Sequence, residues 1–200
     1  MPDLPGISLN QADNVMKVMS LAGTELGETD PGLPFWAFAW AGGLGVSRYL
    51  VDHPDEVAGR RVVDIASGSG LCAIVAMRSG AAWVHAIDID PLSEAAVALN
   101  AHANGMHIGF SRQDLLGAEP PECDVILAGD VCYEETMAAR MIAWLRLAAA
   151  MGTRVLVGDP GRKYMPPGME RLAVYQVRTS HELEDAELKE SAVYTFPPEP

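Results

Sequence analysis

The chain has few cysteines, few basic residues and no long apolar segment, and each shortage excludes a class of protein. Among its 200 residues are three cysteines, at positions 72, 123 and 132, and none forms a CxxC pair. We therefore expect reduced thiols, with neither a disulfide framework nor a zinc site. Lysine and arginine number 14 against 27 aspartates and glutamates, a formal net charge of −13. That balance disfavours binding to nucleic acid or to anionic membranes.

No apolar segment reaches the roughly 18 residues of a membrane span. The N-terminus lacks the basic and apolar regions of a secretory signal, so we expect a cytoplasmic protein. Hydrophobic residues make up 49% of the chain and charged residues 20%, which suits a globular core. The length favours one domain, with residues 1–33 as a helical lead-in and residues 34–200 as the core.

Strand and helix patterns alternate along the core. Strands are predicted at residues 61–66, 83–88, 106–111, 124–128 and 154–157, and helices at residues 9–26, 42–53, 71–79, 91–104 and 134–150. Asp90, followed by a proline, is expected to cap its helix. Strands separated by helices predict an α/β fold, a mostly parallel sheet with helices on both faces. Residues 172–179 and 191–196 complete seven strands as an antiparallel hairpin at the sheet edge.

The strongest chemical signal is a glycine turn between the first strand and the next helix. Gly68, Gly70 and Ala73 satisfy G-x-G-x-x-G/A, a pattern shared by dinucleotide-binding folds. The turn alone leaves three interpretations open, which are NAD, S-adenosylmethionine or a connection that binds no ligand.

Charge separates the two cofactors. Asp64 ends the first strand, and two like charges about 4 Å apart cost several kcal/mol at an intermediate dielectric. A carboxylate there disfavours the pyrophosphate of NAD, whereas it attracts the ammonium and sulfonium of S-adenosylmethionine. Asp88, at the end of the second strand, is placed to accept hydrogen bonds from both ribose hydroxyls. Asp114, after the third strand, is expected to bind the adenine amino group, with Leu115 covering the ring.

The motifs, in this order, resemble those of a known family. The segments VVDIASGSG, AIDIDP and DVILAGDVCY are similar to those of class I, seven-β-strand S-adenosylmethionine-dependent methyltransferases, which have Rossmann-like folds. The segment from Asp130 to Tyr133 resembles the D-x-x-Y motif of their protein-lysine branch. The upstream PFWAFAWAGGLGVSRYL and the downstream TRVLVGDPGR narrow the resemblance to the electron transfer flavoprotein β-subunit lysine methyltransferases.

The resemblance implies S-adenosyl-L-methionine as cofactor, S-adenosyl-L-homocysteine as product and a protein substrate such as the electron transfer flavoprotein β subunit. It implies that Asp130 and Tyr133 are the catalytic pair beside the lysine channel. With the residues argued above, the candidate cofactor-binding positions are Trp40, Asp64, Ser67, Gly68, Gly70, Asp88, Ile89, Asp114, Leu115 and Gly129.

Methyl transfer needs an uncharged amine about 3–3.5 Å from the methyl carbon. A free lysine has a pKa of about 10.4, so we expect an apolar channel that lowers it, walled by Trp36 and the other aromatic residues of positions 35–40. The Asp130 carboxylate would raise that pKa, so we expect it to capture and orient the lysine, while Tyr133 aims the amine.

Two features leave alternatives open. Ala66 replaces the first glycine of the family pattern D-x-G-x-G-x-G. Because alanine tolerates positive φ poorly, either the turn has an ordinary backbone there or the cofactor binds less tightly.

Asp159 and Arg162, in the GDPGR segment, are expected at the ligand edge of the sheet, where they would shape the substrate-protein surface. The alternative is an ordinary turn.

Other functions also fit. The same scaffold would serve a small-molecule amine N-methyltransferase or a catalytically silent cofactor-binding protein, with a nicotinamide-dependent oxidoreductase as a remote third. The five histidines are scattered, and no metal site is expected. The acidic residues 182–190 predict a solvated loop, or else a contact with a basic substrate surface.

Overall fold

A computed structural model describes residues 1, 3–27, 32–179 and 187–197. The strands are β1 (Arg61–Ile65), β2 (Trp83–Asp88), β3 (Gly109–Arg112), β4 (Val125–Gly129), β5 (Arg154–Asp159), β6 (Glu170–Arg178) and β7 (Leu188–Thr195). They form one sheet in the order β3-β2-β1-β4-β5-β7-β6. The first five strands pair in parallel, and β7 is antiparallel to both β5 and β6. The predicted Rossmann-like sheet with a C-terminal edge hairpin is therefore confirmed.

The helices are α1 (Val15–Leu26), α2 (Ala41–Asp52), α3 (Leu71–Arg78), α4 (Ser93–Ala103) and α5 (Glu135–Ala150). Single 3-10 turns lie at Phe35–Ala37 and Pro54–Glu56. Side chains of β1 alternate between the two faces of the sheet, as strand geometry requires. Val62 packs into a core cluster with α2, α3 and α4, and Val63 packs with α5 on the opposite face.

The N-terminal helix is shorter than predicted. It begins at Val15 after Asn14, whose side chain accepts a hydrogen bond from the Lys17 amide, and ends at Gly27 in the left-handed conformation. The preceding residues are held instead by bonds to other parts of the fold. The Asn10 amide donates to the Asn100 side chain at 2.7 Å, and the Ala12 amide donates to the Ala37 carbonyl at 3.0 Å. These long-range bonds outweigh the helical pattern.

The helix predicted to open at Asp90 also starts later, at Ser93. Asp90 does not cap it directly, because the Asp90 carboxylate accepts from the Leu92 amide at 2.8 Å in a turn that precedes the helix. In the described residues no helix is long and apolar enough to cross a membrane.

Glycines let the start of α2 rest directly on the strand ends. A Cβ at Gly42 would collide with the Gly158 carbonyl and the Asp130 amide, and one at Gly129 would lie 2.8 Å from Gly43. Helix α2 therefore crosses the ends of β4 and β5 in backbone contact, with its first amides directed at the end of β4.

Candidate active site

A cavity of about 620 Å³ opens at the carboxyl ends of the strands, where the strand order reverses between β1 and β4. This is the position at which open α/β sheets bind ligands, and the volume is within the range of small-molecule sites. The cavity brings together most of the predicted positions, which are Trp40, Asp64, Ser67, Gly68, Asp88, Ile89, Asp114, Leu115, Gly129, Asp130, Tyr133 and Arg162.

The glycine turn carries the chain from β1 into α3 along the floor of the cavity. Gly68 and Gly70 have φ values of +50° and +76°, which glycine adopts without steric penalty. Gly70 is the residue before the first turn of α3, and a Cβ there would lie 3.0 Å from the Val97 side chain. Glycine is thus needed at both positions for the backbone conformation of the turn, and at position 70 also for close packing against α4.

Ala66 decides between two alternatives. The sequence predicts either an ordinary backbone at this alanine or a less tightly bound cofactor, and its φ of +51° excludes the first, while the second stays a prediction. The next two residues are held to β2, since the Ser67 amide donates to the Ile87 carbonyl at 3.1 Å and the Gly68 amide donates to Asp88 at 2.7 Å. The turn therefore forms here at the expense of local strain.

Asp64 lies in the cavity wall but is only 2% exposed. Its carboxylate accepts a hydrogen bond from the Ala73 amide at 3.0 Å, in the first turn of α3. Burial raises the pKa of this carboxyl well above its usual value, and the nearby Asp88 raises it further. Our charge argument placed Asp64 in front of a cationic cofactor. In the structure this carboxylate binds an amide of helix α3. Its attraction for the cofactor stays a prediction.

Asp88 connects two turns at the rim. One carboxylate oxygen accepts from the Gly68 amide at 2.7 Å, and the other accepts from the Asp90 amide at 2.9 Å. Because each oxygen of a carboxylate has two acceptor sites, both retain the capacity to accept from a diol. Exposed Ile89 lies next to it in the lining.

The loop after β3 covers the far side of the cavity. Asp114 accepts from the Leu116 amide at 2.8 Å and lies 3.7 Å from the guanidinium of Arg140 in α5. Arg140 also donates to the Leu116 carbonyl at 3.0 Å. Leu115 is buried beside them and lines the cavity. The arginine thus ties this loop to α5.

Asp130 directly follows β4 and has a φ of +56°, a conformation that aspartate tolerates better than most residues. One carboxylate oxygen accepts from the amides of Gly42 and Gly43, at the start of α2. The other accepts from the Nε and Nη2 atoms of Arg162, at 3.1 and 2.7 Å. The side chain predicted to capture a lysine is therefore already bound on both oxygens.

We expected Asp159 of the GDPGR segment to help shape the surface that meets a substrate protein. Asp159 is 1% exposed, and one of its oxygens accepts from the amides of Gly161 and Arg162 at 2.7 and 2.6 Å. Its side chain shapes the loop from below. The Arg162 side chain is 21% exposed and binds Asp130. Asp159 therefore acts on the loop through its backbone and does not itself lie at the surface, and the expected role of the two residues in shaping the substrate-protein surface stays a prediction.

An aromatic wall lines the same cavity as Asp130. The Phe35 ring lies between Trp40 and Tyr133, with ring centroids 5.2 and 5.0 Å away, and Trp40 donates from Nε1 to the Phe35 carbonyl at 3.0 Å. Tyr133 is 46% exposed, at the mouth. The residues that line the cavity include Phe35, Phe38 and Trp40 but not Trp36. The expected role of Trp36 in substrate binding stays a prediction.

Two buried hydroxyls on the cavity wall lack a hydrogen-bond partner in the described part of the chain, those of Ser67 and Ser93. A buried polar group without a partner is unfavourable, so these oxygens are suited to a polar ligand. Four aspartates besides the buried Asp64, whose pKa is raised, line the cavity with only two arginines, and both arginines pair with lining aspartates. The cavity therefore favours a ligand with cationic groups over a diphosphate.

Sequence reasoning missed the contribution of α5. Met137, Arg140 and Met141 line the cavity, and their spacing places them on one face of that helix. Because α5 starts two residues after Tyr133, its first turns lie beside the strand ends. That short connection, together with the helical spacing, was the signal that would have found them. Within the described ranges, no cluster of three or more His, Cys, Asp or Glu could hold a metal ion.

Several known proteins have sequences similar to this chain. The family model described as ribosomal protein L11 methyltransferase (PrmA) matches residues 50–131. The chain is 38% identical over 174 residues to the electron transfer flavoprotein beta subunit lysine methyltransferase of Xenopus laevis, covering 84% of this chain and 71% of the relative. Its counterpart in Rattus norvegicus is 38% identical over 172 residues, covering 82% and 68%.

Solved structures share the fold. The ribosomal protein L11 methylase of Lactobacillus delbrueckii subsp. bulgaricus superposes with a TM-score of 0.53 at 18% identity, covering 80% of this chain and 81% of that one. The magnesium protoporphyrin IX methyltransferase of Synechocystis PCC 6803, solved with bound SAM, gives 0.55 at 16% identity, covering 96% and 88%.

Proposed function

Because the chain belongs to the family of electron transfer flavoprotein beta subunit lysine methyltransferases, we propose that it is an S-adenosylmethionine-dependent protein-lysine N-methyltransferase. Its proposed substrate is the electron transfer flavoprotein β subunit or a similar small protein. The observation that carries the proposal is the single cavity on which the glycine turn, the aspartates at the strand ends, and the pair Asp130 and Tyr133 all border.

The residues of the cavity fit the proposed cofactor. The amides at the start of α3, with the unpartnered hydroxyl of Ser67, would hold its carboxylate. Asp88 would accept from the ribose, and Asp114 with Leu115 would hold the adenine. The excess of aspartates over arginines in the lining supports a ligand bearing an ammonium and a sulfonium. When bound, this cofactor supplies an electrophilic methyl group.

The aromatic wall is the proposed channel for the acceptor lysine. Phe35, Trp40 and Tyr133 present packed rings at the mouth of the cavity. Transfer of an ammonium from water to such surroundings disfavours the charged form and lowers its pKa. The channel therefore promotes the uncharged amine, whose lone pair is needed for attack, and excludes water that would compete with it.

Asp130 and Tyr133 are proposed to fix the direction of that amine. Between them Val131 and Cys132 are buried, at 1% and 0% exposure, so the strand end is anchored while its two polar residues border the cavity. Burial and the charges of Asp88 and Glu134 raise the pKa of Tyr133. Its phenol therefore stays protonated at neutral pH and is available as a hydrogen-bond donor or acceptor.

The test is methyl transfer to a purified protein. The enzyme is incubated with methyl-labelled S-adenosylmethionine and a purified electron transfer flavoprotein β subunit, and the products are analysed by gel and by mass spectrometry. A labelled protein with methylated lysine supports the proposal. A second incubation replaces the purified subunit with a cell lysate, and label found there only in small solutes indicates a small-amine methyltransferase. Cofactor binding without product in either incubation indicates a catalytically silent protein.

A matched pair of variants connects the activity to this cavity. Tyr133→Phe is expected to lower kcat about tenfold or more, with the cofactor Kd unchanged. Tyr194→Phe removes the same phenol from β7, outside the cavity lining, and is expected to retain wild-type kcat. Equal activity of both variants would contradict the assigned role of Tyr133.

We also propose that the protein works in a reducing compartment, the cytoplasm. The free thiols of Cys72, Cys123 and Cys132, all buried, support this assignment. Fractionation of the source cells, followed by immunodetection, tests it.

A further inference from the structure

The ion pair between Arg162 and Asp130 occupies the place where the acceptor amine is expected. Arg162 donates to one Asp130 oxygen from two nitrogens, at 3.1 and 2.7 Å. The pair is largely withdrawn from solvent, with side-chain exposures of 21% for Arg162 and 10% for Asp130. Both residues border the cavity. The pair is thus part of the wall that an incoming amine meets.

The loop that carries Arg162 is built to hold it there. The carboxylate of Asp159 accepts from the amides of Gly161 and Arg162, and Gly161 adopts a φ of +88°. The turn therefore directs the arginine backward over the end of β4 instead of outward. An ordinary surface turn does not need a buried carboxylate at its base.

A second positive element faces Asp130 from α2. Its other oxygen accepts from the amides of Gly42 and Gly43, within the first turn of that helix. Helix N-termini carry a partial positive charge. The negative charge of Asp130 is therefore compensated from two directions, by a full cation and by a helix terminus.

This compensation bears on the chemistry at the amine. A carboxylate within about 4–6 Å of an ammonium raises its pKa, by about 1–3 pH units, and so opposes loss of the proton. Several acidic groups act on the residues next to Asp130: Asp64, near the end of β1, acts with Asp130 on Cys72, Asp159 acts with Asp130 on Cys132, and Asp88 and Glu134 act on Tyr133. Among the lining arginines, Arg162 is bonded to Asp130, whereas Arg140 pairs with Asp114.

We propose that Arg162 is a positioning residue that neutralises Asp130, so that Asp130 orients the acceptor amine without holding it in its charged form. The inference rests on the proposed lysine methyltransferase function. The extra proton of the amine passes to solvent before transfer. The nitrogen lone pair then forms the new N–C bond, while the electron pair of the broken C–S bond stays on sulfur.

The test is the pH dependence of kcat, which reports ionisations in the enzyme–substrate complex. In Arg162→Gln the carboxylate loses its full cation and keeps only the helix terminus, and the pH at which kcat reaches half its plateau is expected to rise by about one unit or more. Asp130→Asn leaves the arginine unbalanced and should shift the midpoint downward. The double variant Asp130→Asn/Arg162→Gln should return it toward the wild-type value. Arg162→Lys, which keeps the charge but not the fork, should shift it less than Arg162→Gln.

Matched controls separate this effect from general damage. Arg146→Gln removes the same charge from the outer part of α5, where that side chain lies over Phe196, and should leave the profile unchanged. The affinity of each variant for S-adenosylhomocysteine checks that the cofactor site is intact. A uniform fall of kcat in Arg162→Gln with an unmoved midpoint would indicate a merely structural arginine and would overturn the inference. Absence of protein methylation by the wild type would instead refute the proposed function.

Discussion

At the scale of single residues, the described chain contains two non-glycine residues with positive φ, Ala66 and Asp130, and each directly follows a strand at the cavity. Aspartate adopts this conformation more readily because it carries a short polar group, and that group of Asp130 accepts from amides at the start of α2. Alanine has no such group, and the left-handed conformation costs it about 1–2 kcal/mol. The sequence predicted the glycine turn correctly but not the strain at Ala66, because bonds from neighbouring strands decide that backbone angle.

Replacement of this alanine should relieve the strain. Ala66→Gly is expected to raise the free energy of unfolding by about 0.5–1 kcal/mol, the strain removed less the entropy that glycine adds to the unfolded chain. Ala95→Gly, at an exposed position of α4, is the control and should lower it by about 1 kcal/mol. Urea unfolding of the three proteins measures both. A loss of stability in Ala66→Gly as large as in the control would show that the residue is unstrained.

At the scale of elements, the contact between α2 and the ends of β4 and β5 decides whether the Asp130 carboxylate can accept hydrogen bonds from the first amides of α2. The sequence shows a glycine-rich helix, but a pattern along one segment does not reveal which glycine meets another strand. Gly42 and Gly43 are adjacent, yet the structure makes them different: a Cβ at Gly42 would strike backbone, and one at Gly43 would lie 3.7 Å from the Cys72 sulfur. Only three-dimensional packing separates the two.

Alanine substitutions at these two positions should therefore have different effects. Gly42→Ala is expected to lower the free energy of unfolding by about 1–3 kcal/mol, since the helix must move away from β4 and β5. Gly43→Ala makes an ordinary contact and gains helix propensity, so a change between zero and about 1 kcal/mol of stabilisation is expected. Denaturant unfolding of both variants decides; equal destabilisation would contradict the packing described here.

A second contact between elements lies at the opposite end of the strands, where β5 and α2 both bind the Pro54–Glu56 turn. Arg154 of β5 binds Glu56 with two hydrogen bonds, at 3.0 and 2.9 Å, and Tyr49 of α2 donates to the same carboxylate at 2.8 Å. Burial alone would raise the pKa of Glu56, but the hydrogen bonds from Arg154 and Tyr49 outweigh it and lower that pKa. Burial and the bond to Glu56 raise the pKa of Tyr49 to about 12. The ionised glutamate is thus the form that stabilises the fold.

Glu56→Gln should lower the free energy of unfolding at pH 7 by about 1–3 kcal/mol, because it leaves the arginine without its charged acceptor. A carboxyl whose pKa is lowered on folding stabilises above its unfolded value, about 4.3, and loses that contribution as the pH falls through the folded value. The difference from wild type should therefore shrink between pH 5 and pH 3. Glu122→Gln is the control, since its pair with Arg61 is exposed and should change stability by less than about 1 kcal/mol at either pH.

At the scale of the whole molecule, the order of strands predicts where the site lies but not how its parts pair. Parallel strands end at one edge, so the pattern alone brought Asp88, Asp114 and Asp130 to the same cavity. The pairing of Arg162 with Asp130 joins two loops 32 residues apart, and no periodicity encodes it. Phe35 and not Trp36 lines the cavity for a similar reason, because a single 3-10 turn sets which ring faces inward. The acidic residues 182–190 lie mostly outside the described residues.

Binding of the cofactor at this cavity should stabilise the entire fold, since residues from β1, β2 and β4 line the cavity together. At a concentration of about 100 times Kd, S-adenosylhomocysteine should add about 2.7 kcal/mol to the free energy of unfolding, which for a chain of this length raises Tm by about 5–10 °C. In Asp88→Asn a tenfold weaker Kd would halve the shift at the same concentration. Because this substitution also alters the bonds to Gly68 and Asp90, each protein is compared with its own unliganded Tm. NADH serves as the matched nucleotide, and a shift with NADH but none with S-adenosylhomocysteine would refute a cavity selective for a cationic methyl donor.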